Sequence, residues 1–304
     1  MRIRQRGVAI VLAMSVVTLA ALAATAIMVT QSTWSRQVEL TAGHGQAQLL
    51  IQAGLDWARA VLSDDRRSSN VDHLGEPWAL RLPPISVENG SLAGYIEDQQ
   101  GKFNLNNLLK DGKVNLAQLA HFQRLLSILA LPPALAGALA DWIDADSEPQ
   151  PRNGAEDAYY LSLQPPYLAA NRPLIDVAEL ALVRGFDDNV RAQLRPFVTA
   201  LPRFTAVNAN TAPPEVLAAV VEGLGLDGAR AMVAQRERAY FRNLSDFFNQ
   251  LPSGLIVPTE NISVSSDYFI ATTRVTIGGA QARGSALLAR ENAGWPAIVW
   301  RKTP

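Results

Sequence analysis

From Asp141 to Asp157 the chain reads DWIDADSEPQPRNGAED. Six carboxylates (Asp141, Asp144, Asp146, Glu148, Glu156 and Asp157) stand against one arginine, Arg152, in a protein whose net charge is −1. The side chains on offer as ligands are oxygen donors, which suits a hard cation. Calcium accepts about six to eight oxygens and tolerates irregular loops. Asp144 and Asp146 form a D-x-D at the end of one helical stretch, and Glu156 and Asp157 open the next. Between them Pro149, Pro151 and Asn153-Gly154 force the backbone to turn, so both acidic pairs converge where they would repel without a cation. Asp141, one helical turn before Asp144, ranks behind these four, either as a ligand or as support behind one. The spacing is not that of an EF-hand. On chemistry alone a second reading stays open: a solvated acidic loop in which Glu156 and Asp157 favour a helix N-terminus.

Other chemistries have less to stand on. There is no cysteine, which excludes thiolate zinc sites, disulfides and thiol catalysis. His44, His73 and His121 are far apart, and no G-x-S-x-G, H-E-x-x-H or Walker glycine loop occurs. Together these weigh against an enzyme. A hydrophobic content of 48% marks a globular bulk, and 304 residues suffice for one large or two modest domains.

The elements that must hold the acidic loop are legible in outline. Ile85 to Asp98 reads as two strands around Asn89-Gly90, a preferred hairpin turn. Two further strands flank Gly278-Gly279, and PAIVWRK, residues 296–302, is a last one. Between about Gly101 and Leu255 the pattern is helical. The simplest architecture is α+β: a long helix on an antiparallel sheet, with an all-helical domain spliced into the sheet. Its two ends must then lie close together on the sheet edge. Segments follow as 1–7, 8–35, 36–100, 101–255 and 256–304.

Within the helical part, Val207 to Phe248 resembles a helix-hairpin-helix unit of the kind found in competence DNA receptors and repair proteins. A helix opens at Pro213-Pro214-Glu215, and Gly223-Leu224-Gly225 makes the turn. Asn104-Leu105-Asn106 echoes Asn208-Ala209-Asn210 and hints at an earlier copy without the glycine turn. A membrane-anchored DNA-binding protein is therefore the alternative function. The local charge argues against it: Arg230, Arg236 and Arg238 are balanced by Glu222, Asp227 and Glu237, and phosphate binding needs a cationic surplus. No nucleic-acid partner is expected.

At the N-terminus Arg2, Arg4 and Arg6 precede Gly7, and no charged residue follows until Arg36. Residues 8–29 are apolar and long enough to span a bilayer, and the arginines place the N-terminus in the cytoplasm. Ala21-Leu22-Ala23 would suit an ordinary signal peptidase, and an uncleaved anchor is also open. However, the apolar run passes beyond that site into an amphipathic segment with Val38, Leu40, Ala47, Leu49, Leu50, Ala53, Leu55, Trp57, Ala58 and Val61. A basic leader ending in glycine, followed by such a helix, resembles type IV pilins and pseudopilins. The resemblance implies cleavage after Gly7 by a prepilin peptidase and methylation of a new N-terminus at Val8. Pilin-like chains carry glutamate at the fifth mature position; here it is Leu12. The K-type minor pseudopilins of type II secretion systems lack that glutamate and have an enlarged soluble region, so the chain most resembles them.

That resemblance implies a pseudopilin fold with an inserted helical domain and calcium in that domain, held through the D-x-D and G-x-E-D pattern. It also implies a non-catalytic role at the tip of the pseudopilus, priming assembly and assisting export of folded proteins. The expected partners are other minor pseudopilins, the major pseudopilin, the prepilin peptidase and the inner membrane. The protein would be single-pass, with its soluble part in the periplasm.

Overall fold

A computed structural model describes residues 4–88, 90–151, 153–255, 257–277, 280–290 and 294–303. No proline occurs before Pro77, and the first element is one unbroken helix, α1, Arg4–Ser68. It runs through Gly7 rather than starting there. Its first half packs against nothing: its most apolar window has a mean hydropathy of 2.4 with no buried residue. Hydroxyls within that half donate one turn back, Ser15 to Val11 O at 2.9 Å, Thr18 to Met14 O at 2.7 Å and Thr25 to Ala21 O at 2.8 Å. These groups thus need no solvent partner.

The second half lies on a five-stranded antiparallel sheet. Its strands are β1 (Leu82–Val87), β2 (Gly90–Asp98), β3 (Tyr268–Ile277), β4 (Ala280–Ala289) and β5 (Ala297–Lys302), paired in that spatial order. Ala47, Ile51, Leu55, Ala58 and Leu62 recur every three or four residues along α1 and bury against Ile96, Phe269, Ala271, Val275, Ile277, Ala286 and Leu288. Of the apolar residues singled out from the sequence, Val38, Leu49 and Trp57 remain exposed, while Ile51 and Leu62 are fully buried. Leu40 has no described side chain. The closest approach is at Gly284, where a Cβ would sit 2.2 Å from Ile51 Cγ2; only glycine lets the helix lie that near the sheet. Val87 pairs with Gly90, so Gly90 belongs to β2 rather than to the turn expected at Asn89-Gly90; Ile277 pairs with Ala280, which keeps the second turn at 278–279. The turn residues Asn89, Gly278 and Gly279 themselves lie outside the described residues.

The helical layer enters after Asp98 at the end of β2 and returns at Tyr268, where β3 begins. Asp98 pairs with Phe269, so the two ends are register neighbours in the middle of the sheet rather than at its edge. The layer contains α2 (Leu116–Ile128), α3 (Leu135–Ile143), α4 (Asp157–Tyr160), α5 (Asp188–Leu194), α6 (Pro214–Val220), α7 (Gly225–Arg236) and α8 (Leu244–Phe248) around its own core. Val257 and Ile262 belong to that core, so the layer continues past residue 255.

The two Asn-x-Asn stretches do the same job. The side-chain amide of Asn106 donates to Leu174 O at 2.9 Å and accepts from Leu174 N at 2.8 Å. Asn210 clasps Phe241 in the same way, at 2.9 and 2.8 Å. Each asparagine, buried in the layer, ties the start of a helical hairpin to the segment that follows it. The unit built on Asn106 spends residues 144–173 between its second helix and the clasp. The unit built on Asn210 spends only 237–240. The acidic segment occupies that extra length.

Candidate metal centre

All nine residues of α3 are buried, and the helix delivers Asp144 as its C-terminal cap with only 1% of its surface exposed. At the other end of the acidic segment Glu156 stands at the N-cap position of α4, 6% exposed, yet makes no capping hydrogen bond. Both carboxylate oxygens of Asp144 and both of Glu156 are buried without a hydrogen-bond partner. Buried polar atoms are almost always paired, so four such oxygens on two neighbouring acids point to a missing positive group.

Asp146, which is exposed, completes the cluster: one oxygen from each of Asp144, Asp146 and Glu156 lies within 4.8 Å of the others. Oxygens bound to one calcium at about 2.4 Å can be no more than about 4.8 Å apart. The donor set is all oxygen and anionic, and thus fits a hard divalent cation. Its electrostatics agree. Burial, then Asp146 and Asp141, raise the Asp144 carboxyl to about 6. Burial, then Asp141, Asp144, Asp157 and Asp146, raise Glu156 to about 7.

The other two acids expected at the site accept backbone hydrogen bonds, as Asp146 also does from Glu148 N at 2.9 Å. Asp141 is fully buried, and its carboxylate accepts from Gln150 N at 3.1 Å and Ala155 N at 2.7 Å. Asp157 accepts from Ala169 N at 2.9 Å. Both carboxylates organise backbone around the cluster. Arg152, the one cation within the segment, lies outside the described residues. Arg184 was not singled out from the sequence. Its guanidinium donates to Gly154 O at 3.1 Å and lies 4.7 Å from the centre of the Tyr159 ring, so it too holds the loop rather than neutralising the acids.

The helical hairpin α6–α7 exists, with positive φ at Gly223 and Gly225, but its arginines do not form a cationic face. Arg230 pairs with Asp227 at 3.2 Å. Arg236 donates to Ala209 O at 2.6 Å, and burial lowers its pKa to about 10.

Comparison with known proteins agrees with this architecture. A family model described as type II secretion system protein K matches residues 207–265, and a companion model of the same description matches 101–203. The protein K of Pseudomonas aeruginosa is 37% identical over 291 residues, covering 91% of this chain and 86% of that protein. The chain belongs to the type II secretion system protein K family. The Klebsiella pneumoniae protein K is 32% identical over 305 residues, covering 95% of this chain and 93% of its own length. A crystal structure of a GspK–GspI–GspJ complex from enterotoxigenic Escherichia coli contains a chain that superposes with a TM-score of 0.76 at 27% identity. It covers 90% of this chain and 99% of that one.

Protein K chains are minor pseudopilins of the secretion apparatus, and α1, uncharged from Gly7 to Ser35, fits a single-pass membrane anchor. Gly7, Val8 and Leu12 all lie on that exposed stretch, and nothing stands within 4 Å of where a Gly7 Cβ would be. The comparisons lend no support to the DNA-receptor alternative.

Proposed function

We propose that this protein K is the subunit that caps the pseudopilus, non-catalytic, priming assembly and helping to export folded proteins across the outer membrane. The observation that carries this reading is the helical layer, a second core hung between adjacent ends of β2 and β3. Subunits of a filament shaft stack closely along their helices, and such bulk has space only where no subunit follows. The partners would be other minor pseudopilins, as in the GspK–GspI–GspJ complex, with the major pseudopilin below. Prepilin peptidase would cut after Gly7 and leave Val8 as the methylated N-terminus. Leu12 in place of glutamate then puts no carboxylate in the membrane, where a charge is costly. The soluble part would lie in the periplasm.

Asp144, Asp146 and Glu156 would hold calcium, with backbone carbonyls completing its shell. Bound calcium supplies the positive charge that the two buried, unpartnered carboxylates lack. The chain has no cysteine, so a single cysteine introduced on the helical layer provides a clean label for assembled filaments. Label at one filament end is the expected result; label along the shaft would overturn the tip assignment.

A further inference from the structure

We propose that Asp141 is the positioning residue of the cation site: its carboxylate sets where Glu156 sits relative to Asp144 and does not itself touch the ion. This rests on the calcium reading above and deepens it. Asp144 and Glu156 arrive from opposite ends of a loop and repel one another, so something other than their own interaction must hold them together. Asp141 belongs to α3, which carries Asp144. Both of its oxygens accept from Gln150 N at 3.1 Å, and Oδ2 also accepts from Ala155 N at 2.7 Å. Ala155, 1% exposed, directly precedes Glu156. One carboxylate thus ties the helix bearing the first orphaned acid to the backbone bearing the second.

The loop is shaped to admit this clasp. A Cβ on Gly154 would lie 2.4 Å from Asp141 Oδ2 and 2.4 Å from Gln150 N, so only glycine permits the approach. Asn153, just before it, has φ +63°, and Arg184 holds the Gly154 carbonyl from the other side. The Asp141 oxygens face two loop amides, Gln150 N shared between both and Ala155 N on Oδ2. Among the described residues, the clustered oxygens come from Asp144, Asp146 and Glu156. Groups behind the ligands of a metal site commonly set affinity by about 10–100-fold without contacting the metal.

The test uses the full chain in detergent micelles. Calcium affinity is measured by titration calorimetry, and bound water is counted from europium luminescence lifetimes in light and heavy water. Asp141→Asn and Gly154→Ala should each weaken calcium binding by about tenfold or more and leave the number of coordinated waters at saturation unchanged. Asp144→Asn, which removes a ligand charge, should weaken binding further and admit water. An increased water count in Asp141→Asn would make Asp141 a ligand and overturn the proposal. So would unchanged affinity in Gly154→Ala, which alters no charge and no ligand. Loss of the whole fold in Asp141→Asn would also count against it, because the residue would then hold the helical layer rather than the loop. If the unaltered protein takes up no calcium, it is the cation reading itself that fails.

Discussion

Two clusters of buried acids meet the same electrostatic problem in different ways. Asp65, Asp72 and Glu76 gather where α1 ends against the sheet, and the chain supplies its own cation. Arg290, 1% exposed, bonds Asp65 with one guanidinium nitrogen and Asp72 with another. Neutral donors share the rest: Ser266 N reaches Asp72 at 2.8 Å, and Trp78 Nε1 reaches Glu76 at 2.8 Å. Asp144, Asp146 and Glu156 gather within the helical layer with no such arginine among the described residues. An internal cation is permanent and makes a joint between secondary elements unconditional. A cluster left without one keeps its buried carboxylates unpaired, which is the ground of the calcium proposal.

The contrast breaks most sharply at Arg290. Arg290→Met should destabilise the protein by about 3–5 kcal/mol, because it strands buried carboxylates, and calcium should not restore it. Denaturant unfolding in calcium and in chelator checks both points. A calcium-rescuable loss would mean that the two clusters are interchangeable.

Next in size is the response of the second cluster. Calcium at a hundredfold excess over its Kd should add about 2.7 kcal/mol, roughly 5–10 °C in Tm. Asp144→Asn combined with Glu156→Gln should remove that gain. In chelator the same double variant should melt above the unaltered protein, since the repulsion is gone. If it melts lower there, the two acids stabilise the empty loop and need no ion.

A smaller effect is set by pH at the first joint. Burial, then Glu76, raises Asp65 to about 6 even with Arg290 present. Burial likewise raises Asp98 to about 6 against the hydrogen bonds it accepts from Thr211 and Ser266. A carboxyl raised on folding binds protons more tightly in the native state. Its stabilising share is therefore full below about pH 4 and lost as pH rises through 6. In the Asp144→Asn, Glu156→Gln background, unfolding free energy should rise as pH is lowered from 7.5 to 5, and Asp98→Asn should flatten part of that slope. A flat profile in the parent would contradict the burial argument. The least effect belongs to Asp64→Ala. Its only ion pair among the described residues, with Arg67 at 4.0 Å, is exposed on both sides, and both stability and calcium response should stay within about 0.5 kcal/mol.

The apolar run after Gly7, the Asn-Gly hairpin, the helical middle and the acidic stretch were all legible along the chain. Each is a local pattern: residue type, period or charge density within a few turns of backbone. Which carboxylates converge was not legible, because Asp141, Asp144, Asp146, Glu156 and Asp157 look alike in one dimension. The fold separates them by handing loop amides to Asp141, Asp146 and Asp157 and none to Asp144 or Glu156. The buried face of α1 was misread for a similar reason. Leu49 and Trp57 are as apolar as Ile51 and Leu62, but only the latter fall on the stripe that the sheet covers. Arg290 carried no signal in sequence, lying far along the chain from Asp65 and Asp72. Composition and periodicity therefore determined the kinds of element along the chain and the neighbourhood of the acidic cluster. Tertiary structure decided which acids are left buried without a partner, which bind loop amides and which are neutralised from within, because desolvation and hydrogen bonding act between groups brought together only by the folded chain.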